Sequence, residues 1–92
     1  MIVSFRHKGL ELYARKGDSS KLQPHLVQKI RLILTRLDAA NGPEIMNQPG
    51  YDFHRLTGDL KDFYAVKVNK NFRIIFRFEG ENALDVDFLD YH

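Results

Sequence analysis

Apolar residues follow a helical period in the first half of the chain. Leu10, Tyr13 and Ala14 lie at helical spacing, and the GDSS segment at 17–20 interrupts that pattern. A second helix is predicted from Pro24 onward, because proline suits a first helical turn and a long apolar stripe follows it. The segment Asn41-Gly42-Pro43 is a strong helix stop signal. The stripe consists of Leu26, Val27, Ile30, Ile33, Leu34 and Leu37.

The second half has a period of two, which is typical of strands. The preceding EIMNQPG segment is turn-rich and predicts a loop. With a short strand predicted at Met1–Phe5, the fold class is α+β: two helices packed on a curled antiparallel sheet of about four further strands. Those strands are predicted near Tyr51–Leu56, Phe63–Val68, Phe72–Phe78 and Ala83–Asp90.

The register of the first long hairpin follows from its apolar faces. Residues opposite each other in an antiparallel pair point to the same face, and a shift of one residue would scramble both faces. Pairing Val68 with Phe72 leaves a three-residue loop of Asn69, Lys70 and Asn71, in which asparagine tolerates the left-handed conformation. Further along the strands, Val66 then meets Ile74, Tyr64 meets Phe76, and Lys67 meets Arg73.

The same reasoning predicts a second hairpin with a loop of Gly80, Glu81 and Asn82. A β-bulge would shift the contacts by one residue. The predicted pairs are Phe78 with Leu84, Phe76 with Val86, Ile74 with Phe88, Arg77 with Asp85, and Arg73 with Leu89.

Length and composition indicate one domain covering residues 1–92. A hydrophobic content of 43% supports a core, and 28% charged residues are ordinary for a globular protein. The chain has no cysteine and no apolar stretch near the roughly 20 residues that span a bilayer. We therefore expect a cytoplasmic protein without disulfides or a membrane segment. The net charge of +2 is weak support for nucleic-acid binding.

The chemistry-bearing residues concentrate at the C-terminus. Asp90, Tyr91 and His92 follow directly after the last predicted core residue, Phe88. The simplest interpretation of such a tail is a frayed polar terminus. The predicted register, however, brings Arg73 beside it. The four histidines show no paired spacing of the kind found in zinc sites, so neither a metal nor another cofactor is expected.

These groups match metal-free RNA cleavage. That reaction needs a base for the ribose 2′-OH proton, an acid for the leaving 5′-oxygen and a cation for the phosphorane charge. Imidazoles titrate near neutrality, and His54 lies on the strand before the first long hairpin. A lone strand histidine is more often structural. The cations Arg55, Lys61, Lys67 and Lys70 are either an ordinary solvated face or a track for an RNA backbone.

The chain resembles the HigB-type toxins of the RelE/ParE superfamily. The resemblance spans essentially the whole chain and rests on three blocks taken together. These blocks are MIVSFRHKGLE, HRLTGDLKDFYAVKVNKNFRIIFRF and DVDFLDYH.

The resemblance implies a toxin that cleaves translated mRNA in the ribosomal A site. It also implies a helix-turn-helix, HigA-like antitoxin that neutralises the toxin and mediates any contact with operator DNA. The implied roles are proton transfer by His54 and His92, phosphate binding by Arg73, base stacking by Tyr91, and orientation of an imidazole by Asp90. Relatives often have Lys where this chain has Thr57 and Pro where it has Arg55.

Two other functions remain open at this point. The first is a non-nuclease toxin of ParE type that acts on DNA gyrase through the same fold. The second is a non-toxic module that binds RNA or the ribosome. The first is less consistent with His54 and the Asp-Tyr-His tail, because a binding protein has no need of proton-transfer groups. The second predicts harmless expression without any antitoxin.

Overall fold

A computed structural model of the protein describes residues 1–91. It confirms the α+β prediction: two helices pack on a four-stranded antiparallel sheet whose strand order follows the chain. None of the helices within residues 1–91 is long and apolar enough to cross a bilayer. The elements are α1 (Lys8–Lys16), α2 (Val27–Ala39), β1 (His54–Arg55), β2 (Tyr64–Lys67), β3 (Phe72–Glu79) and β4 (Asn82–Asp90).

Helix α1 begins and ends through specific side chains and backbone conformations. The His7 ring accepts the Leu10 N–H through Nδ1 at 3.1 Å, which satisfies one of the free N–H groups of the first turn. Gly9 leaves room for this ring, since a Cβ there would lie 2.8 Å from His7 Cε1. At the other end Gly17, with φ 71°, donates its N–H to the Tyr13 carbonyl.

The predicted second helix is confirmed, with one refinement at its start. Residues Pro24–Leu26 form a 3₁₀ turn, and α2 follows directly. The buried residues of α2 are Ile30, Ile33, Leu34 and Leu37, four of the six predicted stripe positions. They pack against the inner face of the sheet, where Phe76 and Ile74 are fully buried.

The β2–β3 hairpin has the predicted register. Tyr64 lies opposite Phe76, Val66 opposite Ile74, and Lys67 opposite Arg73. The Val68 N–H donates to the Phe72 carbonyl at 3.0 Å, which closes the predicted three-residue loop.

The β3–β4 register is predicted correctly at one end and incorrectly at the other. Ile74 pairs with Phe88 and Arg73 with Leu89, as expected. Between Ile75 and Arg77 a β-bulge shifts the ladder, so the predicted opposition of Phe78 to Leu84 is wrong and Phe78 lies opposite Ala83. Asp85, at φ 53°, takes the positive-φ conformation of the bulge. The extra residue lets both Ala83 and Val86 face the core although they are separated by an odd number of positions.

Two other strand predictions need correction. Met1–Phe5 forms only isolated parallel bridges to β4, at Ile2–Ala83 and Phe5–Val86. Between these two bridges the Asp85 N–H donates to the Ser4 hydroxyl at 2.8 Å. The predicted strand Tyr51–Leu56 shrinks to β1, since Asp52 has φ 48° and a 3₁₀ turn begins at Gly58.

The sheet carries apolar residues on both faces. Its inner face joins the helices in the main core. Its outer face carries a second, smaller cluster, covered by the segment between β1 and β2. That cluster comprises the buried Phe63, Ala65 and Ile75, with Leu56, Leu60 and Leu89 packed against them.

Candidate active site

The predicted site residues lie on the outer face of the sheet, away from the helices. His54 is paired with Ala65, and Ala65 with Ile75, so His54 belongs to a row of that face. Lys67 and Arg73 form the neighbouring row. With strands about 4.8 Å apart and about 3.3 Å per residue, the backbones at His54 and Arg73 are separated by roughly 12 Å. Both residues therefore lie on the same face of the sheet, one row apart.

The orientation of His54 is set by a strained turn. Asp52, a non-glycine residue at φ 48°, presents its carbonyl oxygen 2.8 Å from His54 Nδ1. A carbonyl can only accept, so Nδ1 carries the proton in this contact and the neutral ring keeps Nε2 as an acceptor. His54 is half-buried in this arrangement. The ring therefore has the tautomer of a general base.

The Arg73 guanidinium is anchored on one edge only. Its Nη1 donates to the carbonyls of Asn69 at 2.7 Å and Phe72 at 3.1 Å. Its Cζ lies 4.8 Å from the centre of the Tyr91 ring. Nε is buried without a hydrogen-bond partner among the described residues. A buried donor left in that state costs about 1–3 kcal/mol. Among the described residues Nη2 has no hydrogen-bond partner and is not one of the buried unpaired atoms, so the edge that carries Nη2 is the one that can donate to a phosphate.

The end of the chain lies beside Arg73, as the register predicts. Asp90 ends β4 opposite Phe72. The Tyr91 N–H donates to the Asn71 carbonyl at 2.6 Å, and its side chain is exposed. Within the described chain the tail is thus bonded to the sheet up to Tyr91, which does not fit a terminus frayed from Asp90 onward. His92, a predicted catalytic residue, lies outside the described residues.

The four cations predicted to bind RNA differ in their surroundings. Arg55 braces the turn that follows β1: its Nε donates to the Lys61 carbonyl at 2.8 Å, and it lies 3.9 Å from an Asp62 carboxylate oxygen. Its fork is therefore partly engaged inside the protein. Lys67 shares the row of Arg73 on the outer face, and Lys70 is exposed at the tip of the loop beside Arg73. These two are the predicted RNA-binding cations placed closest to Arg73 along the sheet.

A second arginine on the same face is already neutralised. Arg77 Nε donates to an Asp85 carboxylate oxygen at 2.7 Å, and Nη1 donates to Glu79 at 3.1 Å. The hydrogen bond to Asp85, followed by that to Glu79, raises the pKa of Arg77 above its ordinary value. The predicted Arg77–Asp85 contact is confirmed even though the bulge places Leu84 directly opposite Arg77.

The groups that hold the site residues in place could not be predicted from the sequence. These groups are backbone carbonyls: Asp52 for His54, Asn69 for Arg73 and Asn71 for Tyr91. Every residue has a carbonyl, so composition carries no signal for them. The two asparagines were visible only as turn formers.

Grooves elsewhere on the molecule do not include the site. Two of them, with volumes of about 640 and 660 Å³, flank the exposed side of α2. No predicted site residue of the described chain lines either groove. The candidate site is an open, cationic sheet surface, which suits an extended polymer better than a small enclosed ligand.

Comparison with known proteins identifies a family for the whole chain. A family model described as a RelE-like toxin of the type II toxin–antitoxin system HigB matches residues 3–92. The chain is 36% identical over 92 residues to the endoribonuclease HigB of Proteus vulgaris, covering 100% of both proteins. It is 32% identical over 94 residues to toxin HigB-1 of Vibrio cholerae, covering 100% of this chain and 98% of the relative.

Solved structures support the same fold at lower identity. A YafQ mutant from E. coli has a TM-score of 0.67 at 15% identity, covering 98% of this chain and 91% of that one. A heterotetrameric YoeB–YefM toxin–antitoxin complex from Staphylococcus aureus has a TM-score of 0.64 at 21% identity, covering 100% and 95%. At these identities the likeness describes the fold alone.

Proposed function

The chain belongs to the HigB-like toxins, RelE-like toxins of type II toxin–antitoxin systems, and from that membership we propose a metal-independent endoribonuclease that cleaves translated mRNA in the ribosomal A site. The toxin class and the endoribonuclease activity follow from the family match and the full-length identity to a relative named as an endoribonuclease. The observation that supports this reaction here is the placement of His54 and Arg73 on one exposed face.

The proposed reaction is a transesterification in which the neighbouring 2′-oxygen replaces the 5′-oxygen on phosphorus. His54 Nε2 takes the 2′-OH proton, and the 2′-oxygen attacks phosphorus. The bond to the 5′-oxygen breaks as His92 protonates that leaving group, which gives a 2′,3′-cyclic phosphate and a 5′-hydroxyl end. General acid–base catalysis of this kind contributes about 10²–10⁴-fold. Two histidines with complementary protonation are sufficient for the proton transfers.

Arg73 supplies the charge stabilisation. Its tied Nη1 fixes the plane of the guanidinium, and Nη2 donates to a non-bridging oxygen as negative charge builds on it. Tyr91, exposed and already against Arg73, presents an aromatic surface to a neighbouring base. Asp90 orients an imidazole, and Lys67 with Lys70 guides the flanking backbone.

A cognate antitoxin is a partner of this protein, as expected of its family. We propose that the antitoxin is a helix-turn-helix protein and that the toxin contacts operator DNA only through it. The ribosome and mRNA are the proposed targets, so the proposed location is the cytoplasm. An open face with few catalytic groups gains from a partner that positions the substrate, because orientation is a large part of catalysis.

The test is inducible expression of wild type, Arg73→Ala and His92→Ala, followed by mapping of mRNA 5′ ends after growth slows. We expect in-frame cuts within translated regions for wild type and none for the two variants at equal soluble expression. Cut ends that carry a 2′,3′-cyclic phosphate and a 5′-hydroxyl group would support the metal-independent route. Growth arrest with intact mRNA and damaged DNA would instead favour gyrase as the target. Expression of wild type without any effect on growth would favour a non-toxic module that binds RNA or the ribosome.

A further inference from the structure

The loop between β2 and β3 is organised by one side chain. Asn69 Oδ1 accepts the N–H groups of both Asn71 and Phe72, each at 2.9 Å. Such a contact from an asparagine side chain to the backbone two and three residues on is an Asx-type turn. It gives the loop a defined shape that the backbone bonds of a three-residue connection do not supply by themselves.

The same loop holds two groups of the candidate site. The Asn69 carbonyl accepts Arg73 Nη1 at 2.7 Å, and the Asn71 carbonyl accepts the Tyr91 N–H at 2.6 Å. The Asn71 carbonyl shares its peptide unit with the Phe72 N–H, which donates to Asn69 Oδ1. The Asn69 carbonyl belongs to the residue that carries this side chain, at the start of the same turn. The Arg73 guanidinium and the Tyr91 ring then meet at 4.8 Å, so the loop, the arginine and the tail form one closed set of contacts.

We propose that Asn69 is a positioning residue of the RNA-cleaving site. It contacts no substrate; it acts by fixing the two carbonyls that hold Arg73 and the backbone of Tyr91. This inference rests on the proposed function. It adds Asn69 to the site, although Asn69 carries no charge and transfers no proton. Without the Asn69 side chain the loop samples other shapes, and the phosphate-binding edge of Arg73 loses its fixed direction. Misplacement by about 1 Å can cost about 10²-fold in rate.

Two substitutions of Asn69 distinguish a positioning role from a role in folding alone. Asn69→Ala removes the acceptor, whereas Asn69→Asp keeps an oxygen that can accept the same two N–H groups. The matched control is Asn82→Ala, at the exposed turn of the other hairpin. Each full-length variant is assayed for single-turnover cleavage of an mRNA programmed in the A site of purified ribosomes, with thermal unfolding measured alongside.

We expect Asn69→Ala to lower the maximal cleavage rate about 10- to 100-fold with a smaller change in the concentration giving half-maximal rate. Asn69→Asp should recover most of that rate, and Asn82→Ala should match wild type. Wild-type cleavage by folded Asn69→Ala overturns the proposal. A loss of cleavage in Asn69→Ala that is proportional to its unfolded fraction also overturns the proposal. So does an Asn69→Asp variant that cleaves as slowly as Asn69→Ala.

Amide hydrogen exchange tests the role of Asn69 without an activity assay. In Asn69→Ala the Tyr91 N–H should exchange faster than in wild type, while amides of the β3–β4 turn remain unchanged. Equal Tyr91 exchange in both proteins overturns the proposal. If wild type fails to cleave in the same ribosome reaction, the proposed function fails. The exchange result still decides whether Asn69 holds the tail.

Discussion

Arg73 and Arg77 lie four residues apart on β3, point to the same face of the sheet and have the same chemistry, yet their surroundings are opposite. Arg77 stands near the bulged end, where Asp85 and Glu79 satisfy its donors. Arg73 stands at the regular end, where backbone carbonyls and an aromatic ring hold it and no described carboxylate pairs with it. Carboxylate charges hold Arg77, whereas the dipoles of backbone carbonyls orient Arg73.

This difference separates a structural cation from one that is available to a ligand. The two carboxylates paired with Arg77 compensate its charge and so weaken its attraction for a phosphate. Carbonyl partners, in contrast, orient the group without cancelling its charge. The local supply of acids, rather than the number of cations, therefore distinguishes the end of the sheet that we propose for the RNA backbone. The β2–β3 loop contributes Lys70 and no acid, whereas the β3–β4 turn is flanked by Glu79 and Glu81.

The largest expected effect compares alanine at the two arginines. Arg73→Ala should lower ribosome-dependent cleavage about 10²–10³-fold, the usual cost of losing a donor to developing charge. Arg77→Ala should retain nearly the wild-type rate per folded molecule, since its side chain serves the bulge. Quantitative primer extension on a defined mRNA, normalised to folded protein, measures both. Equal losses in the two variants would contradict the distinction.

A second prediction concerns the bulge that brings Asp85 to Arg77. Asparagine tolerates positive φ but carries no charge, so Asp85→Asn should keep the bulge and lose the ion pair. Asp85→Val loses the ion pair as well and places a β-branched residue at φ 53°. The valine variant should therefore be less stable than the asparagine variant by about 1–2 kcal/mol.

Urea unfolding of both Asp85 variants measures this difference. Equal midpoints for Asn and Val would mean that the bulge relaxes without strain. Cleavage by the folded fraction of either variant should stay close to wild type, because the site lies at the other end of β3. A large loss of activity in Asp85→Asn would show that the two ends of the strand are coupled.

The smallest expected effect comes from releasing Arg77. Replacing both of its partners, as in Glu79→Gln with Asp85→Asn, leaves a second uncompensated guanidinium on the outer face. Single-stranded RNA should then bind more tightly at low salt, with the slope of log affinity against log salt steeper by about 0.7 for one added phosphate contact. Fluorescence anisotropy across a salt series measures the slope. An unchanged slope would mean that Arg77 is out of reach of the bound backbone.

Sequence periodicity predicted the inner part of the fold well, for a physical reason. The α2 stripe and the β2–β3 register are determined by which residues must face the core, and a shift of one residue there would expose Phe76 and Ile74. The bulge escaped prediction because Ala83 and Val86 both had to be buried, and only the packed structure shows that Asp85 resolves this conflict. Asp85 itself is an ordinary polar residue in the sequence.

The sequence by itself therefore determined the α+β class, the two helices, the first long hairpin and the identities of the residues proposed for chemistry, because burial and side-chain chemistry are properties of residue type. The tertiary structure decided which arginine has no acid partner among residues 1–91, which carbonyl His54 Nδ1 contacts, and how Arg73 and Tyr91 are held. Those features depend on backbone carbonyls and on two positive-φ residues, Asp52 and Asp85. Backbone groups are the same in every residue, so only the folded chain gives them a direction.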